Sequence, residues 1–271
     1  MNVTRRALLR GSLLVGGGAV AGVAATRAHR WFGPDRQPLD GGYAAAADRL
    51  AAVRHPSTSV TYYVRTAEPV VAFTFDDGPG PNWTKMVLDT LDEYRVPATF
   101  FMVGRNLDAH RDLVRGRLDR HEVGNHSWSH PDLAELDFTA VRRELTRTHD
   151  VIRAVTGREA TLMRPPYGHL GGSTLLAADS LGYDVVLWSQ AMHEKTYLSN
   201  PAGQVTDIVE HATPGAIVLA HDVGNDTRLV ALRRLGEMFK GLRDRGFRFV
   251  TVSELMAIGQ PASVEAPQAR A

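Results

Sequence analysis

Asp76 and Asp77 are adjacent carboxylates in Thr74-Phe75-Asp76-Asp77-Gly78-Pro79, where an apolar run meets a Gly-Pro stop. Carboxylates held at a strand tip can accept a proton or ligate a cation, although the same Asp-Gly pair also makes ordinary solvated turns. Two imidazoles follow, four residues apart, in His126-Ser127-Trp128-Ser129-His130. Two neutral imidazoles and one carboxylate leave positions open for water and substrate, the usual composition of a catalytic zinc site. A pair of surface or core histidines is the plainer alternative. Arg164-Pro165-Pro166-Tyr167-Gly168 places an arginine and a tyrosine on a backbone stiffened by two prolines. That segment is either a surface turn or a fixed cation able to hold and tune a carboxylate. A further apolar run, Ile217-Val218-Leu219-Ala220, ends in His221-Asp222.

These groups need a scaffold, and the pattern between residues 59 and 258 supplies one. Short apolar segments rich in β-branched and aromatic residues predict strands at Val70–Phe75, Ala98–Val103, Glu122–Asn125, Leu162–Arg164, Val185–Trp188, Ala216–Ala220 and Phe247–Val250. Between them lie helical periods. One starts after Asp137, a good N-cap, sets Val141, Leu145, Ile152 and Val155 on one face, and stops at Gly157. Another covers Arg228 to Arg245, with Leu229, Leu232, Leu235, Phe239 and Leu242 inward. Strand–helix alternation with apolar strands predicts an α/β fold on a parallel sheet, open or closed into a barrel. In such folds chemistry gathers where strands end. Asp76 and Asp77 share that placement with His126, Arg164, Trp188 and His221.

Composition narrows the chemistry. The 271 residues are 44% hydrophobic, enough for one large α/β domain with a tail at each end, or two small domains. A formal net charge of +1 gives no footprint for nucleic acid. The absence of cysteine excludes disulfides, thiolate catalysis and thiolate-bound zinc, so any metal must be held by His, Asp or Glu. The other histidines (His29, His55, His110, His121, His149, His169, His193, His211) carry no assigned role and are expected to face solvent for the most part. Residues 1–28 begin with Arg5-Arg6 and continue into a Gly/Ala-rich apolar run from Leu13 to Ala25. The run is too short to span a bilayer comfortably. It predicts an export signal of the twin-arginine type or a retained anchor, hence possible membrane association through this segment alone. Residues 29–60 read as a linker with a short helix near Tyr43–Val53, 61–258 as the folded domain, and 259–271 as a disordered Pro/Ala tail. Oligomeric state leaves no trace.

Thr74–Pro79, His126–His130, Arg164–Tyr167 and Leu219–His221, in this order and at these separations, resemble the polysaccharide deacetylase family (NodB homology, carbohydrate esterase 4) over residues 68 to 256. The resemblance implies a distorted (β/α) barrel and a secreted hydrolase that removes N-acetyl groups from an N-acetylglucosamine-type polysaccharide such as peptidoglycan or chitin. It implies that Asp77, His126 and His130 bind a divalent metal, usually zinc. Asp76 is then the general base, His221 the general acid, and Arg164 the residue that orients Asp76. The backbone N–H of Tyr167 serves the oxyanion, and Trp188 and Leu219 line the pocket for the acetyl methyl. One segment departs from the pattern. After Trp188 the family carries Asp, then Asp-Trp; here Ala191, Glu194 and Lys195 stand at those positions. The second acid supports the acid histidine in the family, so Glu194 is expected to do so with a longer reach. The alternatives are a catalytically impaired carbohydrate-binding protein of the cell envelope, or a hydrolase of O-acetyl esters or non-sugar amides.

Overall fold

The computed structural model describes residues 57–261; the segment 1–28, most of the linker with its expected helix at Tyr43–Val53, and residues 262–271 lie outside it. Nine strands form one all-parallel sheet. They are β1 (Val60–Thr61), β3 (Val70–Asp76), β4 (Thr99–Met102), β5 (Glu122–Asn125), β6 (Leu162–Met163), β7 (Asp184–Val186), β8 (Gln190–Ala191), β9 (Ala216–His221) and β10 (Arg248–Phe249). Their order is β1-β7-β6-β5-β4-β3-β9-β8, and β10 pairs with the first residues of β3. A small antiparallel pair joins β2 (Val64–Arg65) to β11 (Gln260–Pro261), two residues that composition had placed in the tail. β1 and β8 stay unpaired to each other, so the sheet is a curled half-barrel.

β3 is the central strand, buried at all seven positions because both faces of a parallel sheet are covered. Its alternation sorts two cores. Val70 and Ala72 face the interior with Phe101, Leu162, Val186 and Ile217, while Phe73 and Phe75 face the helical layer. There Phe73 meets Phe239 edge to face at 5.1 Å. Curling is enforced from within: Arg164, just past β6, donates to Thr74 Oγ1 on β3, three strands along the sheet order.

The helices are α1 (Thr84–Glu93), α2 (Gly104–Ala109), α3 (Arg111–Val114), α4 (Phe138–Thr156), α5 (Gly172–Ser180), α6 (Pro201–His211), α7 (Leu229–Leu232), α8 (Leu235–Asp244) and α9 (Val252–Ile258). α4 begins as its sequence demands, with the Asp137 side chain accepting from Ala140 N–H, and ends on Gly157 at φ 69°. The expected single helix from Arg228 to Arg245 is interrupted: a 3-10 turn at Asp226–Arg228 precedes α7, and Arg233–Arg234 separates α7 from α8. The apolar positions Leu232, Leu235, Phe239 and Leu242 are buried as the periodicity required. β6 and β7 stop earlier than expected. The carbonyls of Val186 and Leu187 accept from the Arg164 side chain, while the N–H groups of Arg164 and Leu187 still donate to Asn125 and Thr61. Among the described residues no helix is long and apolar enough to cross a membrane.

Candidate active site

Parallel register places the central pair. Asp76 on β3 lies opposite His221 on β9, and Thr74 lies opposite Leu219, so the carboxylate and the imidazole stand side by side at the carboxyl end of the sheet. Asp76 faces inward and is 3% exposed. Its Oδ1 accepts from Arg164 Nη1 at 2.7 Å. Arg164 is itself wholly buried, its remaining donors taken by Thr74 Oγ1 and by the carbonyls of Val186 and Leu187. Each charge therefore has a partner where water is absent, which is the condition for keeping charges there at all.

Asp77 leaves the strand with φ 76° and turns its carboxylate toward the two histidines. Its Oδ1 lies 3.0 Å from His130 Nε2 and 3.4 Å from His126 Nε2. This buried oxygen has no partner of full hydrogen-bond geometry. Atoms that converge on a shared point rather than on one another fit a cation between them. The three ligand atoms lie within 4.8 Å of one another. His126 Nδ1 sits 2.7 Å from the Arg164 carbonyl, which can only accept, so the proton is on Nδ1 and the Nε2 lone pair is left free for a ligand. Burial alone would raise the Asp77 carboxyl, but the two imidazoles outweigh it and hold the group well below the usual carboxylate range. Burial likewise opposes charge on His126, and Asp76 and Asp77 overcome it and raise its affinity for a proton. A field that favours a proton at that spot also favours a metal cation. The residues present thus fit a divalent metal.

The loop that carries the histidines is held by residues the sequence did not single out. Asn125 Oδ1 accepts from Ser127 N–H, and Glu144 on α4 accepts from the N–H groups of Trp128 and Ser129. Ser127, His130 and Tyr167 all have positive φ, as does Asp77. Among the described residues only Arg95 shares that conformation without glycine, so the strain is concentrated at this rim. Arg228 was also missed. Its Nη1 lies 3.0 Å from Asp77 Oδ2 and donates to the Val223 carbonyl, leaving Oδ1 for the histidine side. Both Arg228 and Glu144 sit on stretches that read as polar helix faces, and no sequence signal separates them from solvated neighbours.

Tyr167 is 60% exposed, with its ring 4.8 Å from that of His130. Trp188 packs against the interior apolar cluster and over Gly168, where any side chain would strike its ring. Leu219 is buried on β9 beside Thr74. Among the described residues Glu194 makes no hydrogen bond or ion pair with His221. Burial raises its carboxyl, and Arg228, His193 and Lys195 oppose that rise. His221 Nδ1 is buried with no hydrogen-bond partner, and burial pushes the imidazole down to about 4. Of the remaining histidines, His121 is buried at the opposite end of the sheet rather than facing solvent.

A family model described as polysaccharide deacetylase matches residues 63–186. The chain is 36% identical over 204 residues to a peptidoglycan-N-acetylglucosamine deacetylase of Bacillus cereus, covering 74% of this chain and 94% of that protein. It is 35% identical over 189 residues to the peptidoglycan-N-acetylmuramic acid deacetylase PdaC of Bacillus subtilis, covering 69% of this chain and 39% of the relative. The crystal structure of the Bc1960 peptidoglycan N-acetylglucosamine deacetylase superposes with a TM-score of 0.68 at 26% identity, over 72% of this chain and 92% of that one. Order of motifs, curled parallel sheet and sequence relatives agree: this chain belongs to the polysaccharide deacetylase family.

Proposed function

We propose that the protein is an exported, metal-dependent hydrolase that removes N-acetyl groups from N-acetylglucosamine-type residues of a polysaccharide, with peptidoglycan as the leading substrate. The observation that carries this reading is the convergence of Asp77, His126 and His130 beside an Asp76–Arg164 pair, with His221 in register on the next strand. Asp77, His126 and His130 would hold a divalent metal, zinc by the match of two imidazoles and one carboxylate, and that metal would supply Lewis acidity toward the amide carbonyl and water. Asp76, aimed by Arg164, takes the proton of the attacking water. His221, in register with Asp76 on the next strand, gives a proton to the departing nitrogen. Trp188 and Leu219 shape the methyl pocket, and the Tyr167 N–H is offered to the developing oxyanion. The family's named relatives act on cell-wall peptidoglycan, which supports export of this chain to the envelope, with Arg5-Arg6 suggesting the twin-arginine route.

A second reading, hydrolysis of an O-acetyl ester, is favoured by the lone His221. An amine must be protonated to leave, whereas an ester has a more electrophilic carbonyl and a better leaving group and so needs less from an imidazole that burial keeps neutral. Acetate release from an N-acetylated glucosamine tetramer and from an O-acetylated glycan, each with zinc, with chelator and with Asp77→Ala, separates the two. Release from the first alone, abolished by chelator and by the substitution, is expected. Release from neither would leave a carbohydrate-binding protein, and release indifferent to chelator would remove the metal from the mechanism.

A further inference from the structure

Arg105 is the second residue of α2 and stands at the mouth of the site. Its backbone N–H donates to the Trp128 carbonyl at 3.1 Å, and that of Gly104 to the Ser127 carbonyl at 2.9 Å. A Cβ on Gly104 would lie 2.7 Å from the Trp128 ring and 2.5 Å from Thr148 Oγ1, so α2 is pressed directly onto the histidine loop. The next residue, Asn106, donates to the Asp77 carbonyl at 2.8 Å. The backbone of Arg105 is thereby fixed with respect to both His130 and Asp77.

Its side chain is used by nothing among the described residues. Arg164 spends its donors on Asp76, Thr74 and two carbonyls, and Arg228 is bound to Asp77 and Val223. Arg105 is exposed and has no hydrogen bond, ion pair or ring contact among the described residues. It lines a cavity of about 330 Å³ together with Asp77, Asn106, Ser129, His130 and Tyr167. Tyr167 offers an exposed ring to the same cavity, a surface on which a sugar can lie. A sugar seated there has its edge available to a guanidinium. A neutral glycan gives that cation only hydroxyls, which water matches. A carboxylate gives it a charge-assisted, bidentate partner.

We propose that Arg105 is a specificity-determining residue that pairs with a carboxylate on the glycan close to the N-acetyl group being removed, so that acidic glycan strands are preferred over neutral ones. The inference rests on the deacetylase reading. The carboxylate has two chemical sources in peptidoglycan, the lactyl group on the sugar and the peptide attached to it, and the test separates them.

The wild type and Arg105→Gln are compared on three N-acetylated substrates: a neutral glucosamine tetramer, a peptide-free glycan of alternating glucosamine and muramic acid, and the same glycan carrying its peptides. The expected wild-type preference, read as the ratio of kcat/KM for acidic over neutral substrate, is about tenfold, resides in KM and shrinks with added salt. In Arg105→Gln the ratio falls to about one, and Arg105→Lys recovers part of it. A preference for the peptide-free strand identifies the lactyl carboxylate, and one confined to the peptide-bearing strand identifies the peptide. A ratio equal in wild type and Arg105→Gln overturns the proposal while leaving the deacetylase reading intact. Calorimetric binding of the three glycans to Asp76→Asn, with and without Arg105→Gln, reads the same ratio as dissociation constants. It therefore decides the matter even if none of the three substrates is turned over.

Discussion

The two ends of the sheet hold similar residues and treat them oppositely. At the amino end, Glu122 accepts from Thr99 Oγ1 and from the N–H and hydroxyl of Ser253, and Arg158 caps the carbonyls of Leu118 and His121. His121 Nδ1 accepts from Ala98 N–H, and its ring stands edge to face on Phe100. At the carboxyl end, buried Asp77 Oδ1 and His221 Nδ1 have no hydrogen-bond partner and four residues hold positive φ. His121 Nε2 is orphaned as well, so an unsatisfied atom alone does not mark function. Convergence does: among the described residues, one cluster of histidines and acids can surround a cation. One rim spends its polar groups on holding the sheet together. The other withholds them for a ligand.

Arg164 belongs to both economies, so it should break the division most strongly. Arg164→Met leaves Asp76 as an uncompensated buried charge and should cost about 3–5 kcal/mol in urea unfolding, in addition to abolishing turnover. Adding Asp76→Asn should return much of the stability and none of the activity. Next in size is a pH effect at the amino end, to which buried His221 at the other rim adds one of the same sign. Burial holds His121 at about 4, so between roughly pH 6.5 and 4 the unfolded chain takes up a proton that the folded chain refuses. Stability should therefore fall as pH is lowered through that window, by up to about 3 kcal/mol. In His121→Gln the unfolding midpoints at pH 7 and pH 5 should lie closer together than in the wild type. His130→Ala should do the reverse, lowering zinc affinity in a chelator competition by about 100-fold or more while the unfolding midpoint without metal moves little. The smallest effect should come from Glu144→Ala. Freeing the N–H groups of Trp128 and Ser129 should loosen zinc binding by about tenfold, and equal affinity would show that the loop stays shaped without its clamp.

Much of this was legible because it lies where strands end. Asp76, Asp77, His126, Arg164 and His221 each follow an apolar run, and parallel sheets bring such tips together. β1, β8 and β11 escaped because their two residues stand outside any apolar run, whereas β6 and β10 are as short but lie within one. Glu144 and Arg228 escaped for a different reason: each sits among like neighbours on a helical segment, and only the fold reveals which one turns inward. Glu194 was read by position alone. Among the described residues it makes no hydrogen bond or ion pair with His221, whose Nδ1 is left without a partner, and the charges that act on its carboxyl are those of Arg228, His193 and Lys195.

The strand that carries both aspartates takes its neighbours from distant parts of the chain. β4 and β10 share one edge of β3, upper half and lower half, while β9 fills the other. Residues near position 70 thus wait for residues near 216 and 248 before their ladder is complete. On a ribosome that delivers the amino end first, the aspartates emerge early and stay unassembled until the final part of the domain has been made. The carboxyl rim therefore assembles only when β9 has been made and has paired with β3, long after the aspartates themselves.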